Sequence, residues 1–341
     1  MRKSKLVMLV ILVAAAVVLT GCANKWKTSG KIAMGQKNWE KALSDYEQAL
    51  LQTPKDGEIH YLIAHCYKEM GDYPAMVPHL NSADSLYKKG DKKIMELRES
   101  TWQQLFDSGN TNTNNENFEK AKEEFETAIK ILPGNYAAYI NLGYVLQNLG
   151  DNEAAYTNFA KAHEMEPENM KVLENFASLC FNLEKYDEAA AIYRIILEKD
   201  PQHAEALIRL GMISAVNESY DEAIGYYNKA LEFEAERANC DIWFNLGILY
   251  FRHMNRPEDA IEAFSRAVEF CPEDANAHIN LNVVLMSLEK FDEAVANLES
   301  FTLEFPDDCI GWDLYSQALL RKGLRSQALD AQKKFEECRG Q

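Results

Sequence analysis

The chain has 341 residues and a formal net charge of −17, with 36 Lys and Arg against 53 Asp and Glu. That length allows two ordinary domains or one extended repeat array, and the low Gly and Pro content favours helix. The acidity argues against nucleic acid as a target, because phosphates need a basic footprint.

At the N-terminus, Arg2, Lys3 and Lys5 precede an apolar run from Leu6 to Leu19. The run has the length of a secretory core and falls short of the ~20 residues of a membrane span, so residues 1–21 are expected to be a signal peptide. Its end, Leu19-Thr20-Gly21-Cys22, resembles a bacterial lipobox. The resemblance implies lipid attachment at Cys22, with acyl chains of the palmitate kind anchoring a lipoprotein to the cell envelope; each buried methylene contributes ~0.8 kcal/mol. Ala23 follows, and by similarity to enteric lipoproteins a residue other than Asp there implies the outer membrane, facing the periplasm. Lys25, Lys27, Lys31, Lys37 and Lys41 come next and either rest on anionic headgroups or form a solvated helix face.

Beyond the anchor the sequence repeats itself. Ala121, Ala155, Ala189 and Ala223 recur every 34 residues, as do Pro133, Pro167 and Pro201. The small residue extends to Ala42, Ala260, Ala294 and Ala328. Four residues later come Tyr46, Phe125, Phe159, Tyr193, Tyr227, Phe264, Leu298 and Gln332, and three further on Ala49, Ala128, Ala162, Ile196, Ala230, Ala267, Phe301 and Phe335. That i, i+4, i+7 spacing is one helical face. Each partner helix reads like Tyr139, Leu142, Gly143 and Leu146, with Trp26, Trp243 and Trp312 at one shared position, and the prolines end the second helices.

In this pattern the chain resembles the tetratricopeptide repeat (TPR) family. The resemblance implies an all-α, right-handed superhelical solenoid of about nine helix-turn-helix repeats, at 23–56, 57–90, 102–135, 136–169, 170–203, 204–239, 240–274, 275–308 and 309–338. A pair of repeats next to the anchor (22–90) is then followed by an insertion (91–101), an array of seven (102–338) and a short tail (339–341). The second repeat departs from the pattern, with Met76 for the alanine and Pro74 and Pro78 inside its second helix. The insertion reads as an extended helix from Lys92 to Ser108, acting as a bend or as a rigid extension, and the Asn- and Thr-rich stretch from Asn110 to Asn117 as a poor helix former.

Enzyme signatures are absent. There is no P-loop, no Gly-x-Ser-x-Gly and no pair of glycines one residue apart, and His60 and His65 diverge on their helix, so neither catalysis, a metal, a cofactor nor a small-molecule substrate is expected. By the family's geometry the first helices line a concave face. The positions facing it carry Ile140, Tyr144, Phe181, Ile208, Met212, Ala215, Phe244, Ile248, Phe251, Ile279, Val283 and Met286. An apolar stripe this long calls for a cover, most simply a peptide or amphipathic helix of a protein partner in the envelope. Asn141, Asn175, Asn245 and Asn280 share one position and resemble an asparagine ladder that holds a peptide backbone, since a carboxamide both donates and accepts.

Cys240 and Cys271 bracket the seventh repeat, and Cys309 and Cys338 the ninth, so two disulfides are possible, while Cys66 and Cys180 fall mid-helix as buried thiols. The reading that results is a lipid-anchored, non-enzymatic adaptor. Its alternative is a structural, self-associating surface lipoprotein, which the polar last helix with Lys333, Lys334, Glu336 and Glu337 disfavours.

Overall fold

The computed structural model describes residues 25–87, 90–233 and 236–340. The signal peptide, Cys22 and Ala23 lie outside them. Among the described residues there is no strand, and no helix is long and apolar enough to cross a membrane. The chain divides into two compact units, residues 1–179 and 180–341.

Unit 1 contains α1 (25–35), α2 (Trp39–Gln52), α3 (Gly57–Met70), α4 (Tyr73–Leu86), α5 (Lys92–Asn114), α6 (Phe118–Ile131), α7 (Tyr136–Asn148), α8 (Asn152–Met165) and the start of α9 (Met170–Asn182). Unit 2 contains the end of α9, α10 (Tyr186–Lys199), α11 (Ala204–Val216), α12 (Tyr220–Leu231), α13 (Cys240–Ile248), α14 (Pro257–Phe270), α15 (Ala275–Ser287), α16 (Phe291–Glu304), α17 (Cys309–Arg321) and α18 (Arg325–Arg339). Within each unit, consecutive helices pack as hairpins.

The core of each hairpin is a small residue set against a large one. Tyr46, Phe125, Phe159, Tyr227 and Phe264 are fully buried, and each ring lies over a glycine of the preceding helix: Gly30, Gly109, Gly143, Gly211 and Gly247. A Cβ built on Gly143 would sit 2.9 Å from the Phe159 ring, and one on Gly247 2.6 Å from Phe264. The partners lie sixteen residues apart, except that Phe264 follows Gly247 by seventeen. The extra residue is absorbed by a π-turn, Leu249–His253, that continues α13. Where the glycine becomes Asn282 or Ser316, the opposing residue shrinks to Leu298 or turns polar as Gln332, which accepts from the Ser316 hydroxyl at 3.3 Å.

The loop before five of the first helices is also fastened. His60 Nε2 lies 3.2 Å from the Pro54 carbonyl and His278 Nε2 3.0 Å from that of Pro272. Trp243 Nε1 donates to Arg237 O, Trp312 Nε1 to Pro306 O, both at 2.8 Å, and the Tyr139 hydroxyl to Pro133 O. All five contacts reach back six residues, so the position shared by tryptophans in the sequence serves any ring with a hydrogen to donate. Asp56, Asn135, Asn239, Asp274 and Asp308 cap the helices that follow.

The turn between the two helices of each repeat passes through a left-handed residue: Lys37, Gly71, Glu116, Gly150, Glu184, Glu218, Asn255, Glu289 and Gly323. The spacing is 34 except for eleven more before Glu116 and three more before Asn255. Those two departures locate the insertions.

The first insertion is helical from Lys92 onward. α5 runs from Lys92 to Asn114, six residues beyond Ser108, which corrects the reading of the Asn- and Thr-rich stretch as a poor helix former. Side chains take up the burden: the Thr111 and Thr113 hydroxyls donate to Asp107 O and Gly109 O, and Asn112 donates to Glu124 at 2.8 Å. Near its start, buried Arg98 donates to Ile131 O at 2.7 Å and to Asn81 Oδ1 at 2.9 Å, with Asp84 at 3.6 Å. One guanidinium thus ties α5 to α4 and to the open C-terminal end of α6. α4 itself survives its prolines, because Pro74 sits in the first turn, where no helical donor is missed, and only Pro78 lies inside.

Candidate partner-binding clefts

Each unit carries an open cleft floored by first helices. In unit 1 the cleft has a volume of about 500 Å³ and is lined by Phe106, Asn110, Thr113, Asn114, Ile140, Asn141, Tyr144, Lys171 and Asn175. Tyr144 is 48% exposed, whereas Ile140 is buried and offers only its edge. Asn141 Nδ2 donates to Asn110 Oδ1 at 2.6 Å, a link between adjacent repeats. Asn175 Nδ2 turns back to the Lys171 carbonyl of its own helix. Asn110 lies outside the position the four asparagines share, in the Asn- and Thr-rich stretch of low helix propensity.

In unit 2 the cleft has a volume of about 540 Å³ and is lined by Glu205, Ile208, Arg209, Met212, Glu236, Asn239, Asp241, Phe244 and Asn245. Ile208, Met212 and Phe244 are half-buried, each leaning on the core beneath. Three carboxylates stand on its rim. The single cation there, Arg209, is engaged twice: its Nε is 3.6 Å from Glu205, and its guanidinium lies 4.6 Å over the Phe181 ring. Phe181 is therefore covered rather than offered. Asn245 offers its amide to the hydroxyl of the buried Tyr227, which offsets part of the rise that burial gives that phenol, and Asn280 donates to the Asn276 carbonyl. Ile248, Phe251 and Met286 are half-buried against the next core cluster, Ile279 is half-buried, and Val283 is 36% exposed.

The predicted asparagine series thus does not act as four equivalent free amides. Two turn back on their own helices, one holds a core tyrosine and one joins Asn110.

The basic N-terminal edge is largely neutralised. Lys27 lies 2.7 Å from Glu58 and 3.1 Å from Asp56, Lys31 pairs with Glu58 at 3.1 Å and Lys41 with Asp45 at 3.3 Å. The bond from Lys27 holds the Glu58 carboxyl below its usual range. Of the five lysines that either rest on headgroups or form a solvated face, three are spent on carboxylates of their own unit.

The four bracketing cysteines meet in pairs. Cys240 is joined to Cys271 with Cα atoms 6.0 Å apart, and Cys309 to Cys338 at 5.6 Å. Cys66 and Cys180 are buried and free, and burial pushes both thiols up to about 12, which leaves them unreactive.

Profiles described as tetratricopeptide repeat match residues 33–75, 105–135, 124–157, 175–239 and 232–275, together more than half of the chain. No curated protein matches the sequence. Among solved structures, a tetratricopeptide repeat protein from Parabacteroides merdae is 22% identical with a TM-score of 0.52, over 70% of this chain and 93% of its own. PilW, described as a widely conserved type IV pilus biogenesis factor, is 18% identical with a TM-score of 0.49, over 64% and 98%. YrrB, described as a TPR protein with an unusual peptide-binding site, is 20% identical with a TM-score of 0.37, over 64% and 97%. These likenesses concern the fold.

Proposed function

The chain belongs to the tetratricopeptide repeat family, and from that premise we propose that it is a non-enzymatic adaptor, lipid-anchored through Cys22 at the periplasmic face of the outer membrane, that docks a protein partner in its clefts. The observation that carries the docking is the unit 2 cleft, whose apolar floor of Ile208, Met212 and Phe244 is ringed by Glu205, Glu236 and Asp241. Such a site suits a segment with one apolar face flanked by Lys or Arg: burial supplies affinity, while the carboxylates set orientation and on-rate. The unit 1 cleft suits an extended backbone instead, since carboxamides pair with peptide N–H and C=O groups without regard to side chain.

The compartment is supported by the cysteines. Two disulfides, with the remaining cysteines among the described residues, Cys66 and Cys180, buried, fit an oxidising compartment, and the lipobox-like Leu19–Cys22 supplies the route there. The self-association reading rests on one feature, the exposure of Leu324 and Leu329 at the last helix.

The deciding experiment is affinity capture from solubilised envelopes with lipidated wild type and with an Ile208→Ser, Met212→Ser, Phe244→Ser variant of equal helicity. A protein held by wild type and lost from the variant supports the cleft. An identical set of captured proteins overturns it. Membrane fractionation of Cys22→Ala tests the anchor separately: the variant is expected in the soluble fraction, and its retention in the membrane sinks that part.

A further inference from the structure

Repeat 2 holds a pair of imidazoles that neither cleft uses. His60 of α3 and His79 of α4 face each other with Nδ1 atoms 3.1 Å apart and ring centroids 5.2 Å apart. Both rings are half-buried. The partner of the other His60 nitrogen decides the tautomer. Nε2 lies 3.2 Å from the Pro54 carbonyl, which can only accept, so neutral His60 carries its proton on Nε2 and turns the Nδ1 lone pair toward His79.

We propose that His60 and His79 form a two-imidazole seat for a divalent transition-metal ion of the copper, nickel and zinc class, clipping the two helices of repeat 2 together. An ion at the usual imidazole distance of about 2.0–2.1 Å from each nitrogen would see them at an angle of roughly 98°, between the square-planar and tetrahedral values. The Pro54 carbonyl on the far nitrogen is the outer partner that metal-bound histidines characteristically have, fixing ring orientation and raising ligand basicity. Burial, and after it the neighbouring His60, push the His79 imidazole below its ordinary value. In the ion-free state the contact is an N–H···N hydrogen bond, with the His79 proton on Nδ1. Binding needs only that this proton move to Nε2, which frees both Nδ1 lone pairs for the ion.

Among the described residues no third His, Cys, Asp or Glu joins the pair. Water fills the remaining positions, and the ions rank by their preference for nitrogen, copper first. The clip also falls where the hairpin is weakest by sequence. Pro78 removes a helical donor one residue before His79, and Met76 stands where other repeats carry the small alanine. Disulfides close repeats 7 and 9 in the corresponding sense, from one helix of the hairpin to the other.

The test uses the full chain without an affinity tag, stripped by chelator and titrated with nickel chloride in a calorimeter. One ion is expected per chain, with a rise in Tm on loading, and both effects are expected to vanish in His60→Ala and in His79→Gln. The second variant keeps the His60 contact with Pro54, so loss of binding there cannot come from a loosened loop; circular dichroism of both variants confirms the fold. Binding that survives in either variant, or no saturable binding below millimolar nickel, overturns the proposal.

Discussion

Units 1 and 2 open clefts of nearly equal volume, about 500 and 540 Å³, in the same kind of repeat, and line them with opposed chemistry. One is walled by amides from Asn110, Asn114, Asn141 and Asn175. The other has an apolar floor and an acidic rim. The difference arises because the cleft positions and the core positions are separate residues of the same first helix. Gly143 and Gly211 are held by the rings they must admit, whereas Tyr144 and Met212, one residue on, are free to vary with what is bound. The units also differ in how their irregular repeats are fastened: unit 1 uses a buried arginine and polar side chains, unit 2 uses disulfides.

If the two cores are equivalent, the largest effect should be the same in both. Phe159→Ala in unit 1 and Phe264→Ala in unit 2 are each expected to cost about 3–5 kcal/mol, the range for truncating a buried aromatic. Chemical denaturation with tryptophan fluorescence measures both. A cost in one unit that is less than half that in the other would break the equivalence.

Fastening should then separate the units. Each disulfide closes a loop of about thirty residues, for which chain entropy predicts a stabilisation of about 3–4 kcal/mol. Reductant, or Cys240→Ser with Cys271→Ser, is expected to lower amide-exchange protection in unit 2 while leaving residues 25–87 unchanged. Uniform loss across both units would contradict the division. In unit 1 the counterpart is Arg98→Met, which strands Ile131 O and the Asn81 amide oxygen. It is expected to cost about 2–3 kcal/mol, measured by urea unfolding.

The same separation explains what the sequence makes legible. Hairpin cores show plainly in it, because Ala155 with Phe159 and Gly143 must recur for the helices to touch at all. The bracketing cysteines show for the same reason, as the helix ends they occupy are fixed by the period. The clefts show less well, because a residue's position in the repeat says that it faces the opening but not what its side chain does there. Asn175 and Asn280 return to their own helices, and Arg209 covers Phe181. Asn110 is hidden by its neighbours: a stretch of Asn and Thr has low helix propensity, and tertiary bonds such as Asn112 to Glu124 override it. The π-turn is one residue of insertion, too small to disturb an alignment of apolar positions yet enough to shift Phe264 by one from its glycine. His79 is invisible for a different reason. It meets His60 only through the packing of α4 on α3, whereas spacing along the chain relates only histidines of one helix, such as His60 and His65.

The smallest effect concerns the turns, where the units again differ. Among the turns within repeats, unit 1 passes through glycine at two of four, Gly71 and Gly150, while unit 2 does so at one of five, Gly323. A left-handed conformation costs an L-residue about 1–2 kcal/mol, and glycine returns part of that gain as greater backbone entropy lost on folding. Glu184→Gly and Glu218→Gly are therefore each expected to stabilise unit 2, by about 0.5–1 kcal/mol, and Gly150→Glu to destabilise unit 1 by a similar amount. Denaturant midpoints at constant m-value measure all three. A destabilising Glu→Gly result would mean that the glutamates hold their turns through contacts beyond backbone conformation, and the turn of unit 2 would then belong to its binding chemistry rather than to its frame.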